Sequence, residues 1–499
     1  MNYIDVKNFR KYEQLFGDNG PAKIGHVNAV IKSLNELAPS YKYLGNSSTV
    51  SSIDWSQATV QELNVDNNPT LTFSNGILGQ TSTLLLKQNQ IGQKTVTWPA
   101  NVLWSGGIAP SLISVPSVVV DSGLTVGSGF SSSVDVIKVQ PDGKIIVVGG
   151  FSNYNGNITP GIVRLNTDGT YDNTFNTGSG TNGDVRGLAL QSDGKIIIGG
   201  YFTSYDGNSC NYIARLNSDG SYDNTFNIGT GFNNAVRNLI LQPDGKIIVV
   251  GDFSDYNGTP AGYIVRLNSD GTIDGGFTTG IGFNGSPQTL VLQSDLKIVI
   301  VGGFNAYDSN PCNAIVRLNS DGTPDTTYIS NTGTGFPGGT YGMDIQTDGK
   351  VIVVGSFNQY NGSFIGNNIV RINTDGTYDA TLVTGSGFSN QANAIKIDSA
   401  GKILVGGYFS SYNGNTANRF IRLNSNGSID TSFNIGNGFN DGVHTITTQS
   451  DGKILTGGQF TSFNGTSRVR FARLQIVTPT DSYSKFTFDY NGTYYIGSY

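Results

Sequence analysis

Residues 134–151 read VDVIKVQPDGKIIVVGGF, an alternating apolar and polar run, a Pro-Asp-Gly turn signal, and then a nearly continuous apolar run closed by two glycines. Period-two alternation bounded by turn residues predicts strands, so VDVIKVQ and KIIVVGGF are a strand pair joined by a tight turn. Further on, GIVRLN predicts a third strand, TDG another turn, and YDNTFN a short fourth strand.

This pattern recurs. Taking the lysine of DGK as marker gives Lys144, Lys195, Lys246, Lys297, Lys350, Lys402 and Lys453, spaced by 51, 51, 51, 53, 52 and 51 residues. Five residues after each marker stands a glycine (Gly149, Gly200, Gly251, Gly302, Gly355, Gly407, Gly458), and seven after it a phenylalanine (Phe151, Phe202, Phe253, Phe304, Phe357, Phe409, Phe460). Ten after it comes an aromatic residue, tyrosine in six copies and Phe463 in the seventh. Four strands in each repeat of this length match a β-propeller blade, whose two faces are buried only when neighbouring blades stack around an axis. The expected fold is therefore all-β, a seven-bladed propeller over residues 116–475. DSGLTVGSG at Asp121 matches DNTFNTGSG at Asp172, whereas the seventh copy ends at Gln475 without such a segment. The N-terminal strand is expected to complete the last blade and remove both open edges.

Composition agrees with this reading. Gly numbers 68, charged residues make up 13%, and the only glutamates are Glu13, Glu36 and Glu62, so the rest of the chain carries acid only as the turn former aspartate. A net charge of −6 gives no electrostatic footprint for nucleic acid or an anionic membrane, and neither partner is expected. No apolar run of signal-peptide or membrane-span type occurs, so a soluble protein made in a cytoplasm is expected. Cys210 and Cys312 occupy equivalent places two blades apart, beyond disulfide reach, and are expected as free thiols.

The unit LQPDGKIIVVGDF…YIVRLNSDGTIDGGF resembles the delta-60 repeat, a family of β-propeller repeats of bacterial and phage proteins; the resemblance spans about residues 118–475, implies the fold, and brings no catalytic residues with it. Before the ring, Ile24, Val27, Ile31, Leu34 and Ala38 fall on one face of a helix, which makes residues 1–45 a helical anchor segment. Residues 70–112, with TVTWPANVLWSGG, resemble a β-module of tail-fibre and related virion proteins of tailed bacteriophages. The strand pair that follows soon after in such modules stands here only at the C-terminus, in FTFDYNGTYYIGSY. The resemblance implies a small discontinuous module, residues 46–115 completed by 476–499, with the propeller inserted in one of its loops. It also implies a virion protein, often trimeric, that contacts capsid or tail proteins through its N-terminal segment.

Candidate sites are few. Phosphate cradles need a strand, a glycine loop and a helix, but strands flank these glycines on both sides, so the Gly and Phe columns are read as scaffold, glycine permitting close blade contact and Phe filling the gap between blades. The turns with Asp168 and Asp172 could hold calcium, yet too few oxygen ligands stand at fixed spacing, and Asp capping its own turn explains the repetition. One column differs in kind from copy to copy: Asp135, Arg186, Arg237, Gln288, Tyr341, Asn393 and His444, at the start of each first strand. Scaffold positions repeat and this one does not, so it is expected at a ring surface or channel mouth. No catalytic residue, metal or cofactor is assigned. A structural virion protein (fibre, head or tail appendage, or decoration protein) is the leading expectation. The alternatives are a receptor- or glycan-binding module, using tyrosines and loops such as NITPG, SFIGNN and TSRVR, and a depolymerase built on paired aspartates.

Overall fold

The computed structural model describes residues 41–46, 52–54, 60–65, 71–74, 81–88, 102–104, 117–477, 482–490 and 494–496. The helical anchor expected around Ile24 to Ala38 lies outside them, except that Tyr41–Asn46, at the end of that segment, is a strand. The chain divides into two compact units, Met1–Val115 with Thr478–Tyr499, and Pro116–Val477.

In the first unit one six-stranded sheet runs in the order Tyr41–Asn46, Val60–Val65, Thr81–Gln88, Ser482–Tyr490, Tyr494–Ile496, Val102–Trp104. Ser482–Tyr490 pairs antiparallel with Thr81–Gln88 from Ser482↔Gln88 to Asp489↔Thr81, so segments that precede and follow residues 116–477 share the sheet. Leu63, Leu84, Leu86 and Val102 are buried.

The second unit is seven blades, numbered here by their marker lysines. In blade one the inner strand Val134–Val139, the middle strand Ile145–Gly149 and the outer strand Ile162–Leu165 form an antiparallel sheet. The middle strands are buried along their length because neighbouring blades cover both faces. Inner strands touch from blade to blade, and Val443–Thr448 of blade seven touches Val134–Val139 of blade one. After the middle strand the chain makes a hairpin, Asn153–Tyr154 against Asn157–Ile158, turning on Asn155 (φ 47°) and Gly156 (φ 81°), the two positive angles that an Asn-Gly turn supplies.

The expected fourth strand is reduced in six blades to one bridge, Leu165↔Tyr171 in blade one and its equivalents. Its run is stopped by Asp172, whose carboxylate accepts from the Thr174 amide at 3.0 Å and bends the chain into a turn. Only blade seven has a full fourth strand. This is Ser117–Val120, just ahead of the segment singled out in the sequence, and it pairs with Phe471–Val477 from Ser117↔Val477 to Val120↔Leu474. Asp121 then takes the place that Asp172 holds in blade one.

That place is the centre of a buried ion cluster repeated in every blade. Asp172 accepts from the marker Lys144 at 2.8 Å and from Arg164, the arginine of RLN, at 2.6 Å. Asp121 accepts from Lys453 at 3.0 Å and Arg473 at 2.6 Å. Six of the seven arginines also reach a turn carbonyl of the next blade: Arg164 Nη1 donates to Ser218 O at 2.6 Å, and Arg473 Nη1 to Thr167 O at 2.6 Å, so the same bond links blade seven to blade one. Blade seven has no such turn, and Arg422 of blade six makes no equivalent bond. Burial alone would raise these carboxyls, but bonds from the lysine, a backbone amide and the arginine prevail and hold Asp274 and Asp325 at about 2.

The invariant glycines have a cause other than the expected one. A Cβ on Gly149 would stand 2.2 Å from Ser133 O, and on Gly251 2.2 Å from Ala235 O, so the close approach is to the inner strand of the same blade. Blade-to-blade contact falls instead on the preceding residue, where a Cβ on Gly457 would meet Val134 Cγ1 at 2.3 Å. The phenylalanines do fill gaps. Phe151 stacks at 4.6 Å on Phe130, which in turn meets Phe471 of blade seven at 5.9 Å.

Candidate functional site

Each inner strand begins with a register slip. In blade one Val134 pairs with Gly149 and Val136 with Val148, leaving Asp135 as the extra residue of a β-bulge. Arg186, Arg237, Gln288, Tyr341, Asn393 and His444 occupy the same unpaired place in their blades. The bulge releases these side chains from the sheet at the end of the ring where inner strands start and middle strands stop, the mouth. At this end each invariant glycine and phenylalanine flank a residue that changes from blade to blade: Gly150, Tyr201, Asp252, Gly303, Ser356, Tyr408 and Gln459. Its amide bonds to a third variable position across the bulge, as from Tyr201 to Asp184 O at 2.8 Å and from Asp252 to Ala235 O at 2.8 Å.

These positions connect into one polar network through six blades. Asp135 stands between Arg186 Nη1 at 3.4 Å and His444 Nδ1 at 3.6 Å. Arg186 also meets Asp184 at 3.1 Å, and its guanidinium shares the Tyr201 ring with that of Arg237, at 5.8 and 5.3 Å from the centroid. Arg237 grips Asp252 through Nε at 2.9 Å and Nη2 at 2.8 Å. The second Asp252 oxygen accepts from Ser286, which receives Gln288 Nε2 at 3.4 Å. On the other side Tyr408 OH lies 2.9 Å from His444 Nε2 and 2.7 Å from Gln459 Oε1. Burial and the charge of Asp441 push the Tyr408 hydroxyl up, which keeps it protonated as a donor. The structure thus brings together Asp135, Arg186 and His444 directly, and Arg237 and Gln288 through intermediaries. Asn393 contacts only Gln391, at 3.3 Å, and Tyr341 stands apart, 42% exposed. The mouth can recognise polar groups; Asp135, Asp184 and Asp252 already face an arginine or histidine, and Asp441 accepts from the Gly442 amide at 2.7 Å.

Other concavities are less suited. A cleft of about 500 Å³ at the opposite end, where blades seven and one meet, is lined by Gln140, Thr167, Gln449, Lys453 and Arg473, but its two cations belong to the Asp121 cluster. In the inner strands Asp344 accepts from Lys396 at 2.8 Å and from the Ile397 amide at 2.7 Å. Burial and then the Lys396 charge lower the pKa of Lys138 nearby. Asp168 accepts from the amide and hydroxyl of Thr170 at 3.0 and 2.7 Å, and Asp172 is held by its cations, so neither faces the other as a calcium pair. The loops NITPG and SFIGNN carry exposed Ile158 and Phe364 on the small hairpins, outside the network.

Sequence reasoning found one of the three variable positions. The column through Tyr201 and Asp252 was hidden between two invariant columns, and its variation was the signal that could have revealed it.

Six three-stranded sheets and one four-stranded sheet, joined inner strand to inner strand, define a β-propeller. Segments 140–175, 191–226, 242–277, 293–328, 346–382, 401–433 and 449–475 match the model of a family described as a domain of unknown function (DUF5122) β-propeller, one segment to each blade. No curated protein sequence matches the chain significantly. Among solved structures the chain is similar to the WD40 β-propeller domain of Doa1, at 16% identity over 70% of this chain and 95% of that one, with a TM-score of 0.47. It is also similar to a streptogramin B lyase, at 17% identity over 72% of this chain and 98% of that one, TM-score 0.43. A virginiamycin B lyase from Staphylococcus aureus matches at 18% identity over 69% and 96%, TM-score 0.37.

Proposed function

We propose that the protein is a non-catalytic structural component of a tailed-bacteriophage virion, a head or tail fibre, appendage or decoration protein that displays the propeller. The observation that carries this reading is the pairing of Ser482–Tyr490 with Thr81–Gln88. Both chain connections of the propeller return to one sheet, as expected of a carrier module with an inserted display domain. The TVTWPANVLW and FTFDYNGTYY segments that resemble a phage fibre module lie on either side of the insertion. On this reading the protein sits in the virion as a homo-oligomer, trimeric by the resemblance, and contacts capsid or tail through its N-terminal segment. Reconstruction of purified particles tests it: density for the seven-bladed ring at fixed stoichiometry is expected, and absence of the protein from particles overturns it.

A second reading, favoured by the mouth, makes the propeller the glycan-binding module of that appendage. Three variable positions in each blade converge on one end of an otherwise repetitive ring, which supports recognition there. Depolymerase chemistry has less support, because glycoside hydrolysis needs one carboxyl protonated and another free, and Asp135, Asp184 and Asp252 are each engaged by cations.

A further inference from the structure

Charge is unevenly distributed around the mouth. In blades seven, one, two and three its three variable positions include His444, Asp135, Asp184, Arg186, Arg237 and Asp252. In blades four, five and six the same positions hold Ser286, Gln288 and Gly303, then Gly339, Tyr341 and Ser356, then Gln391, Asn393 and Tyr408, all without formal charge near neutral pH. The charged arc is occupied with itself through the ion pairs described above. In the neutral arc Ser286, Gln288 and Tyr408 join that network at its two ends, and Gly303, Gly339, Tyr341 and Ser356 between them stay open.

The open arc is also built differently. In blades four and five the inner hairpin extends one pair further toward the mouth, Ser286↔Gly303 and Gly339↔Ser356, where the other blades begin at the glycine of the invariant column. The added positions are small; Gly303, Gly339 and Ser356 are exposed and Ser286 half-buried, and a Cβ on Gly303 would meet nothing nearer than 3.6 Å. Over this low rim lies Tyr341. A Cβ on Gly339 would stand 2.6 Å from the Tyr341 hydroxyl, 2.8 Å from Cζ and 3.0 Å from Cε1, so the phenol ring rests on the bare glycine backbone. Any larger residue at 339 displaces it. Tyr341 is 42% exposed and its hydroxyl bonds to no described residue. Tyr408 also lies over a glycine, Gly442, but its hydroxyl is taken by His444 and Gln459.

We propose that the rim of blades four to six is a subsite for a neutral sugar, stacked by its apolar C–H face on Tyr341; this inference rests on the glycan-binding reading of the propeller. An exposed aromatic ring seated against bare backbone offers contact area at little conformational cost. The amides of Gln288 and Asn393 and the hydroxyl of Ser356 sit at neighbouring rim positions as neutral donors and acceptors for sugar hydroxyls. An acidic sugar would need a free cation here, and the nearby arginines are committed, Arg186 to Asp135 and Asp184, Arg237 to Asp252, and Arg419 to the Tyr408 carbonyl.

The test is binding of the full chain to a panel of neutral and acidic oligosaccharides, followed by titration with the best ligand. Selection of neutral glycans is expected. Tyr341→Ala should weaken binding by about tenfold or more, as loss of a central aromatic contact does, and Tyr341→Phe should restore most of it. Gly339→Val should weaken binding with an unchanged melting temperature, since φ there is not positive and only the tyrosine must move. Val383→Ala, 59% exposed beside the Asn426 turn at the other end of the ring, should bind as the parent. Binding of a glycan that is indifferent to Tyr341, selection of acidic glycans through Arg186, or capture of a protein receptor through Tyr341 each overturns the neutral-sugar subsite. Failure to bind any glycan overturns the glycan-binding reading itself.

Discussion

Asp121 ties the N-terminal strand to blade seven, and Asp121→Asn is the sharpest probe of the ring's seam. The substitution keeps the shape and deletes the charge that faces Arg473 at 2.6 Å and Lys453 at 3.0 Å. Lys453, with 30% of its side chain exposed, can turn to solvent, whereas Arg473, at 7%, cannot. Leaving one buried partner without its counter-ion costs about 3 kcal/mol or more. For a unit the size of Pro116–Val477 the unfolding entropy is roughly 0.75 kcal/mol/K, so the melting temperature should fall by about 4 °C. Asp223→Asn in blade two removes the same cluster, built there on Lys195 and Arg215, and should cost a similar amount. The two variants differ in where they loosen the fold. Asp121 joins positions 352 residues apart, so its variant should speed amide exchange in Ser117–Val120 and its partner Phe471–Val477, while the blade-two variant leaves those amides protected. Burial opposes ionisation of Asp121, but the Gly123 amide, Lys453 and Arg473 outweigh it and lower the pKa. Its stabilisation is therefore full above about pH 4 and is lost as pH falls through the folded-state value, so the difference between parent and variant should shrink in acid. Denaturant titration and hydrogen exchange read both effects. A loss under about 1 kcal/mol, or unchanged exchange at Val118 to Val120, would refute the view that this cluster clasps the seam.

Three further outcomes are expected. Tyr256→Phe leaves the buried Gly271 carbonyl without the hydroxyl that lies 2.6 Å away and should cost about 1–2 kcal/mol, whereas Phe463→Tyr should bring no gain, because blade seven lacks the turn that would accept the bond; urea denaturation compares them. Cys210 and Cys312 are fully buried, and burial pushes both thiols up to about 12, so a thiol reagent should modify neither in the native protein at neutral pH and both after denaturation. Melting temperature should hold from pH 7 to about 4 and then fall steeply toward pH 2, because carboxylates such as Asp274 and Asp325, held at about 2 by their cations, must then accept protons; a flat profile would contradict the clusters.

The blade count, the strand order within a blade and the turns were legible because every copy solves the same packing problem and so repeats the same residues. The N-terminal completion of blade seven was legible in kind, through the match of Asp121 to Asp172, but its strand lies at Ser117–Val120, where no other copy offers an equivalent to align. The Lys–Asp–Arg clusters were visible letter by letter and not as a unit. Lys144 and Asp172 lie 28 residues apart in sequence, and nothing in the local pattern says that a turn-capping aspartate also receives two cations. Tyrosine in six copies with phenylalanine in the seventh follows from the same bookkeeping. Tyr154 donates to Gly169 O at 2.7 Å across to the third turn, and Phe463 stands in the one blade without that turn.

The mouth was half legible for a related reason. In a repeat, identity between copies reports shared mechanical constraint, so freedom from identity marks positions released from it. The bulge is what releases them: Asp135 and its counterparts have no partner in the register, and the residues between the invariant glycine and phenylalanine turn away from the blade interfaces. A single variable column says only that packing does not govern a position. Three such columns brought to one end of the ring, charged and self-paired over blades one to three and uncharged with an exposed aromatic over blades four to six, describe a surface with a direction. Tyr341, Gln288 and Asn393 fall on one continuous arc, which is why the proposed sugar subsite lies on blades four to six and not on the glycine-rich strands.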